Sequence, residues 1–196
     1  MRIKICGITR PEDARFAEEA GADAIGVVVC SGNVSRRNVP LEQAKKIFRA
    51  VGPFTTTVAV SHTTSEDELR KMIALSPDAI QISRPFKFDN HPGVKLIRVA
   101  GRGEPLPVDC DAIIVDDSHG TGRTFDRSYA RDAVRTARIP VILAGGLTPE
   151  NVGAAIREVR PYAVDVASGV EVSPGIKDHK KIKAFIAACR MQEQIP

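Results

Sequence analysis

Arg2-Ile3-Lys4-Ile5-Cys6-Gly7-Ile8-Thr9-Arg10-Pro11-Glu12 contains two different structural signals. Residues 2–5 form a short β-type run, and Thr9 to Glu12 match the T-x-x-E capping box that starts a helix. Cys6 therefore lies at the carboxyl end of a predicted strand, where the chain passes toward a helix. A cysteine there is either a small buried hydrophobic residue or a reactive thiol, and the rest of the chain has to decide between the two.

Short apolar runs recur along the chain about every 20 to 30 residues, the rhythm of βαβ units. The eight runs are Ile3-Ile5, Ala24-Val29, Thr56-Val60, Ala79-Ile82, Val94-Val99, Ala112-Val115, Pro140-Leu143 and Ala163-Val166. Helical patterns lie between them at Pro11-Ala20, Leu41-Ala50, Ser65-Leu75, Ser128-Ala137, Pro149-Val159 and Asp178-Cys189. Most of the runs are continuously apolar, as in parallel strands that are buried on both faces.

Eight strands with interleaved helices in 196 residues predict a compact α/β protein, a (β/α)8 barrel of the TIM-barrel class, with residues 1–196 as one domain. The fourth and fifth helices should be short or degenerate. Ser83 to Gly93 leaves room for little more than a helical turn, and Gly101 to Asp111 holds two prolines and two glycines. An open doubly wound sheet is the alternative. In a barrel the carboxyl ends of the strands carry the active site, which favours a functional Cys6.

Composition indicates a reduced, cytoplasmic protein. The four cysteines form no C-x-x-C pair and no metal-ligand spacing, and no apolar stretch approaches 18 residues. We expect no signal peptide, no metal and no membrane association. The net charge of +4 suits a small anionic substrate better than nucleic acid, since basic and acidic residues alternate. The lysine cluster from Lys177 to Lys183 is interpreted as a solvated helix face.

Two glycine-bearing segments follow the last two predicted strands, at Ala144 to Thr148 and at Ala167 to Glu171. Glycine lets backbone N–H groups approach a ligand, and a helix N-terminus adds partial positive charge. The loops after strands seven and eight of such barrels often bind phosphate. We therefore expect a phosphate site there. Thr148-Pro149 is expected to provide the N-cap and the first residue of the next helix.

The sixth strand ends in Asp116-Asp117, and one of the two is a candidate general acid. A poorly solvated carboxyl group at a strand end has a raised pKa and can deliver a proton near neutral pH. Asp116 is preferred because it directly follows the apolar run, while Asp117 would begin the loop. Because side chains alternate along a strand, only one of them can point into the barrel mouth.

Four motifs together resemble the phosphoribosylanthranilate isomerase family of tryptophan biosynthesis. They are KICGIT at residues 4–9, GTGRTFD at 120–126, LAGGLTPENV at 143–152 and VDVASGVE at 164–171. They occur on strands one, six, seven and eight in the expected order, so the resemblance covers nearly the whole chain. It implies a (β/α)8 barrel and an Amadori rearrangement of a phosphorylated sugar, without a cofactor.

The resemblance also implies roles for individual residues. The general base would be Cys6, the general acid Asp116, and the ligand of the anthranilate carboxylate Arg37, with Arg36 replacing the family's proline. The ribose phosphate would be held by Gly145, Gly146, Ser168 and Gly169. Asp165 would lie beside the sugar. The enzyme would act on a small phosphosugar as a monomer or homodimer, with no nucleic acid or membrane partner.

The chain departs from the family at several points. Ser83 stands where the family has histidine in a Q-L-H-G stretch, the loop after strand six is short, and Arg127 replaces a tryptophan. Lys4 is expected on the opposite face of the strand from Cys6, so a helix N-terminus or the ligand would have to activate the thiol. Two alternatives stay open: a catalytically silent barrel that binds a phosphorylated metabolite, and an isomerase that also accepts the aminoaldose of histidine biosynthesis.

Overall fold

Eight parallel strands close into a barrel, in chain order from β1 to β8. The structure, a computed structural model, describes residues 1–86, 93–116 and 126–194. The strands are β1 Arg2–Ile5, β2 Ala24–Val28, β3 Thr56–Ser61, β4 Ala79–Ile82, β5 Lys95–Ala100, β6 Ala112–Val115, β7 Val141–Leu143 and β8 Ala163–Val166. Ile5 of β1 lies opposite Ile25 on one side and Val166 on the other, and this pairing closes the sheet. The (β/α)8 prediction is confirmed and the open sheet is excluded.

The helices follow most strands and cover the outside of the barrel. They are α1 Pro11–Glu19, α2 Leu41–Phe48, α3 Glu66–Ile73, α4 Arg127–Thr136, α5 Val152–Val159 and α6 His179–Arg190. Residues 101–111, between β5 and β6, contain no helix, as expected from their prolines and glycines. Between β4 and β5 the described residues 83–86 and 93–94 also contain none. No helix in the described part of the chain is long and apolar enough to cross a membrane.

Each strand is buried on both faces, which explains the continuous apolar runs. An inner layer fills the barrel with small and β-branched side chains, among them Val28, Val58, Ile114 and Ile142. An outer layer packs the strands against the helices, with Phe185 of α6 as its largest fully buried side chain. Alternation along each strand therefore determines which residues face the barrel mouth.

Three aspartates fix the strands at the amino-terminal end of the barrel. Asp23, Asp78 and Asp111 directly precede β2, β4 and β6. Each carboxylate accepts a bond of 2.8 Å from the backbone N–H of the second residue of the preceding strand, which is Ile3, Thr57 or Leu96. A carboxylate bound to a backbone amide is a strong acceptor. These bonds tie β1 to β2, β3 to β4 and β5 to β6 at this end of the barrel.

Two predicted N-caps are wrong, although α1 begins at Pro11 as predicted. Helix α1 follows Arg10, which makes no side-chain cap, and the hydroxyl of Thr9 instead donates to the carbonyl of Gly175. Helix α5 begins at Val152 rather than at Pro149, because Thr148 to Asn151 form a turn before it. The Thr9 hydroxyl is thus used by Gly175, and the backbone carbonyl of Thr148 accepts from Asn151 in the turn; both bonds compete with a helix cap.

Candidate functional site

Cys6 lies at the carboxyl end of β1 with its side chain in the inner layer of the barrel. Its backbone N–H donates to the carbonyl of Val166 at 2.8 Å, which extends the β1–β8 ladder by one residue. Gly7 follows with φ at +72°, a left-handed conformation that glycine adopts without strain. This turn allows the chain to leave the strand immediately after the thiol.

Lys4 shares the inner face with Cys6, and the expectation that it points the other way is wrong. The two residues are two positions apart, so their side chains lie on the same face of the strand. The Lys4 ammonium group donates to Asp165 Oδ1 at 2.9 Å and to Gln81 Oε1 at 3.0 Å. Burial favours the neutral amine, but the negative charges of Asp165 and Cys6 outweigh it and raise the pKa of Lys4. A buried ammonium group therefore lies beneath the thiol.

Burial also acts on the thiol itself. It raises the pKa of Cys6, while the positive charges of Lys4 and Lys177 act in the opposite direction. The described site thus contains a thiol that is mostly protonated at neutral pH, surrounded by cations that favour its ionised form. Such an arrangement suits a base that has to accept a proton during a reaction.

Asp116 follows the last residue of β6, two positions after the inward-facing Ile114. The same alternation brings its side chain to the barrel mouth. There its negative charge repels that of Asp165. Burial raises the pKa of Asp165; the Lys4 ammonium group opposes this, and the Asp116 carboxylate adds to it. Asp117 and the glycine-containing motif at residues 120–125 lie outside the described residues.

Arg37 forms a bidentate ion pair with a carboxylate at the rim of the barrel. Its Nε and Nη2 atoms donate to the two carboxylate oxygens of Glu171 at 2.8 and 2.7 Å. Glu171 also accepts a bond of 2.9 Å from Lys177, whose ammonium group donates to the carbonyls of Cys6 at 2.6 Å and Ala167 at 3.1 Å. The burial of Lys177 is a correction to the predicted solvated helix face, because this lysine belongs to a short strand. That strand, β10 Ile176–Lys177, pairs with β9 Glu171–Ser173.

The Arg37, Glu171 and Lys177 side chains join the β2–α2 segment to the β8–α6 segment. Lys177 also binds the start of the β1–α1 segment, through the carbonyl of Cys6. Burial raises the pKa of Glu171, but hydrogen bonds from Arg37 and the charge of Lys177 outweigh it, so the pKa is lowered. The guanidinium group of Arg37 has five N–H donors, and Glu171 uses two of them. Arg37 therefore keeps donors for a second carboxylate.

The two predicted phosphate loops are in direct contact. Gly145 and Gly146 follow β7 with φ at +93° and +62°, and Ser168 and Gly169 follow β8 in a single 3-10 turn. A Cβ on Gly169 would lie 1.9 Å from the carbonyl oxygen of Leu147. Only glycine permits this approach between the two loops. The structure thus brings all the predicted loop glycines to one place on the rim.

The sequence interpretation missed four polar residues of this region, namely Lys4, Gln81, Glu171 and Lys177. Two of them had a detectable signal. Lys4 is two positions before Cys6, so strand alternation puts its side chain on the inner face. Gln81 is a polar residue inside the apolar run of β4. Glu171 and Lys177 carry no local signal, because their partners come from distant parts of the chain.

Comparison with known proteins gives a consistent result. Residues 105–188 match the family model described as N-(5'phosphoribosyl)anthranilate (PRA) isomerase. The N-(5'-phosphoribosyl)anthranilate isomerase of Methanoregula boonei is 65% identical over 190 residues, which are 97% of this chain and 97% of that protein. The N-(5'-phosphoribosyl)anthranilate isomerase of Haloferax volcanii is 40% identical, over 96% of this chain and 93% of that protein.

Solved structures agree with the sequence relatives. The phosphoribosyl anthranilate isomerase of Thermus thermophilus superposes with a TM-score of 0.83 at 34% identity, covering 97% of this chain and 99% of that chain. A second isomerase structure, in complex with reduced 1-(o-carboxyphenylamino)-1-deoxyribulose 5-phosphate, gives a TM-score of 0.78 at 32% identity, with the same coverage of each chain.

Proposed function

Since this chain belongs to the phosphoribosylanthranilate isomerase family, we propose that it catalyses the Amadori rearrangement of N-(5-phosphoribosyl)anthranilate. The product would be 1-(2-carboxyphenylamino)-1-deoxyribulose 5-phosphate, in the third step of the tryptophan branch. The observation that carries the proposal is that Cys6 and Asp116 both lie close enough to Asp165 to interact electrostatically with it, at the end of the barrel where the two glycine loops follow β7 and β8.

The proposed reaction needs an acid, then a base. Asp116 gives its proton to the ring oxygen, the C1–O bond breaks, and a protonated Schiff base forms between C1 and the anthranilate nitrogen. The thiolate of Cys6 then removes the proton from C2, and the electron pair moves through C1 to the nitrogen to give an enolamine. Transfer of the enol proton to C1 produces the ketone. The thiol of Cys6 then loses the proton it took from C2 and Asp116 regains one, by exchange with solvent, which restores both groups for the next cycle. No electron leaves the substrate, so the proposed cycle requires no cofactor.

Substrate binding is divided between two parts of the rim. Gly145, Gly146, Ser168 and Gly169 would hold the ribose phosphate through backbone N–H groups. Arg37 would bind the anthranilate carboxylate with the donors that Glu171 leaves available, a charge-assisted contact. Asp165 would lie beside the sugar, below the thiol. The phosphosugar is the proposed partner, and the active species would be a monomer or a homodimer of one barrel domain.

The test uses purified protein and freshly prepared phosphoribosylanthranilate, whose fluorescence disappears as it reacts. Cys6→Ala should lose nearly all turnover, and Asp116→Asn should lose about 10²–10⁴-fold, the usual contribution of general acid catalysis. Cys30→Ala is the matched thiol control, and Asp117→Asn the matched carboxyl control. Wild-type activity in Cys6→Ala would overturn the assignment of the base. A larger loss in Asp117→Asn than in Asp116→Asn would transfer the acid to Asp117.

A further inference from the structure

Gly26 of β2 shows how closely Lys4 approaches the thiol. A Cβ at this glycine would lie 2.8 Å from Cys6 Sγ and 3.0 Å from both Cε and Nζ of Lys4. The sulfur and the ammonium nitrogen are therefore no more than about 6 Å apart, within the range at which an opposite charge favours the ionised form of a group. Glycine at this position makes room for both side chains at once.

The hydrogen bonds of Lys4 leave one donor for the sulfur. An ammonium group has three N–H donors, and Lys4 uses two of them on Gln81 and Asp165. By contrast, Lys177 distributes its donors over three oxygens, those of Cys6, Ala167 and Glu171. Lys177 thus fixes the backbone around the thiol, while Lys4 keeps one donor on an ammonium group that lies near the sulfur.

From this geometry we propose that Lys4 is a positioning residue for the isomerase reaction: its ammonium group, held by Asp165 and Gln81, stabilises the thiolate of Cys6. The proposal rests on the proposed function for the role of that thiolate. The buried hydrogen bonds among Lys4, Asp165 and Gln81 would then hold the ammonium group in place for the thiol. The Cys6 thiol would be activated by a residue of the same strand rather than by a helix N-terminus.

The charged groups that face the thiol come from four elements. Lys4 belongs to β1 and Asp165 to β8, while Lys177 approaches from β10 and Arg37 from the connection between β2 and α2. Three of these groups are cations and one is an anion. Lys4 is paired with Asp165, whereas Lys177 and Arg37 share Glu171. Lys4 is also buried, so its charge is little screened by solvent.

The experiment measures the thiolate directly, by its ultraviolet absorbance as a function of pH, with the trace of Cys6→Ser subtracted. Lys4→Met keeps the length of the side chain and removes the charge. The titration of Cys6 should move to higher pH by about one unit or more, which is a tenfold or greater loss of thiolate at a given pH below the transition. Turnover should fall with it and recover toward alkaline pH, with KM unchanged. Lys95→Gln, which removes an exposed lysine from β5, should leave the titration unchanged.

A second comparison covers the case in which Lys4→Met does not fold because Asp165 is left buried without its partner. Asp165→Asn and the double variant Lys4→Met/Asp165→Asn differ only in the ammonium group, and the thiol should titrate at higher pH in the double variant. An equal titration in both, or an unchanged titration in a folded Lys4→Met, would overturn the proposal. These readouts need no substrate, so they remain decisive even if Cys6 proves not to be the base.

Discussion

Replacing Glu171 by glutamine tests the ion network at the rim of the barrel. The side chain of Glu171 is 4% exposed and that of Arg37 is 16% exposed, so the pair is hardly screened by water. Glutamine keeps the shape and one acceptor oxygen, but it turns an N–H group toward Arg37 or Lys177 and leaves two cations without their anion. Breaking a buried pair on one side costs about 3–5 kcal/mol. Since one acceptor is retained, we expect about 3 kcal/mol, the lower end of that range.

The assay is urea unfolding followed by circular dichroism, because the chain has no tryptophan. With a slope of about 2 kcal/mol per molar urea, the midpoint should fall by about 1.5 M at pH 7. Folding lowers the pKa of Glu171, so its contribution to stability is present above the unfolded value and is lost as pH falls through the folded value. The difference between the wild type and Glu171→Gln should therefore shrink in acid.

Glu158→Gln is the matched control. Glu158 pairs with Arg127 at 3.1 Å and with Arg131 at 3.8 Å, but these arginines are more than half exposed. Exposed pairs contribute about 0–1 kcal/mol, so this variant should unfold close to the wild type. If Glu171→Gln and Glu158→Gln lose the same small amount of stability, the network around Glu171 does not stabilise the rim and the reasoning fails.

Other predictions concern the rim and one buried thiol. Arg37→Ala should raise KM by about 10- to 100-fold, the value of a lost charge-assisted bond, with a smaller effect on kcat; the exposed Arg36→Ala is its control, and an unchanged KM would remove Arg37 from the site. Gly169→Ala should weaken inhibition by inorganic phosphate at least tenfold, about 1.4 kcal/mol, because its Cβ would collide with the carbonyl oxygen of Leu147; undiminished inhibition would place phosphate elsewhere. Burial raises the pKa of Cys189 to about 12, so the folded state loses stability as pH rises above the unfolded value of about 8.5. In Cys189→Ala the alkaline decline should be shallower by up to about 1.4 kcal/mol per pH unit, and an equal slope would contradict the shift.

The barrel was predictable because its strands are local patterns. A run such as Ala112 to Val115 needs no distant information to be identified as a buried strand. The N-caps predicted at Thr9 and Thr148 are wrong for the opposite reason. Thr9 has the right spacing for a capping box, yet its hydroxyl bonds to Gly175, which is 166 residues away in sequence. Local rules cannot anticipate a competing partner at that distance.

The site was predictable to a different extent. Cys6, Arg37 and the loop glycines were identified from motifs, and the structure brings them to one rim. Lys4 and Cys6 are two positions apart, so the alternation along the strand is enough to place both side chains on the inner face. Lys177 was misinterpreted because its position beside other lysines suggested a helix surface, whereas its partners are the carbonyl of Cys6 and the carboxylate of Glu171. Long-range ion pairs of this kind leave no trace in a local pattern.

The aspartates at the amino-terminal end of the barrel also bear on the order in which the chain assembles. Asp23, Asp78 and Asp111 each join groups only 15 to 21 residues apart in sequence, whereas the β1–β8 seam joins residues 161 apart. Closing a short loop costs less entropy than closing a long one, so the three strand pairs should gain protection early in refolding and the seam last. Pulsed hydrogen exchange would reveal that order, and early protection of the Cys6 N–H, which donates to Val166 across the seam, would contradict it. A barrel assembled this way completes its candidate site in its final step, since Cys6 and Asp165 lie on opposite sides of the seam.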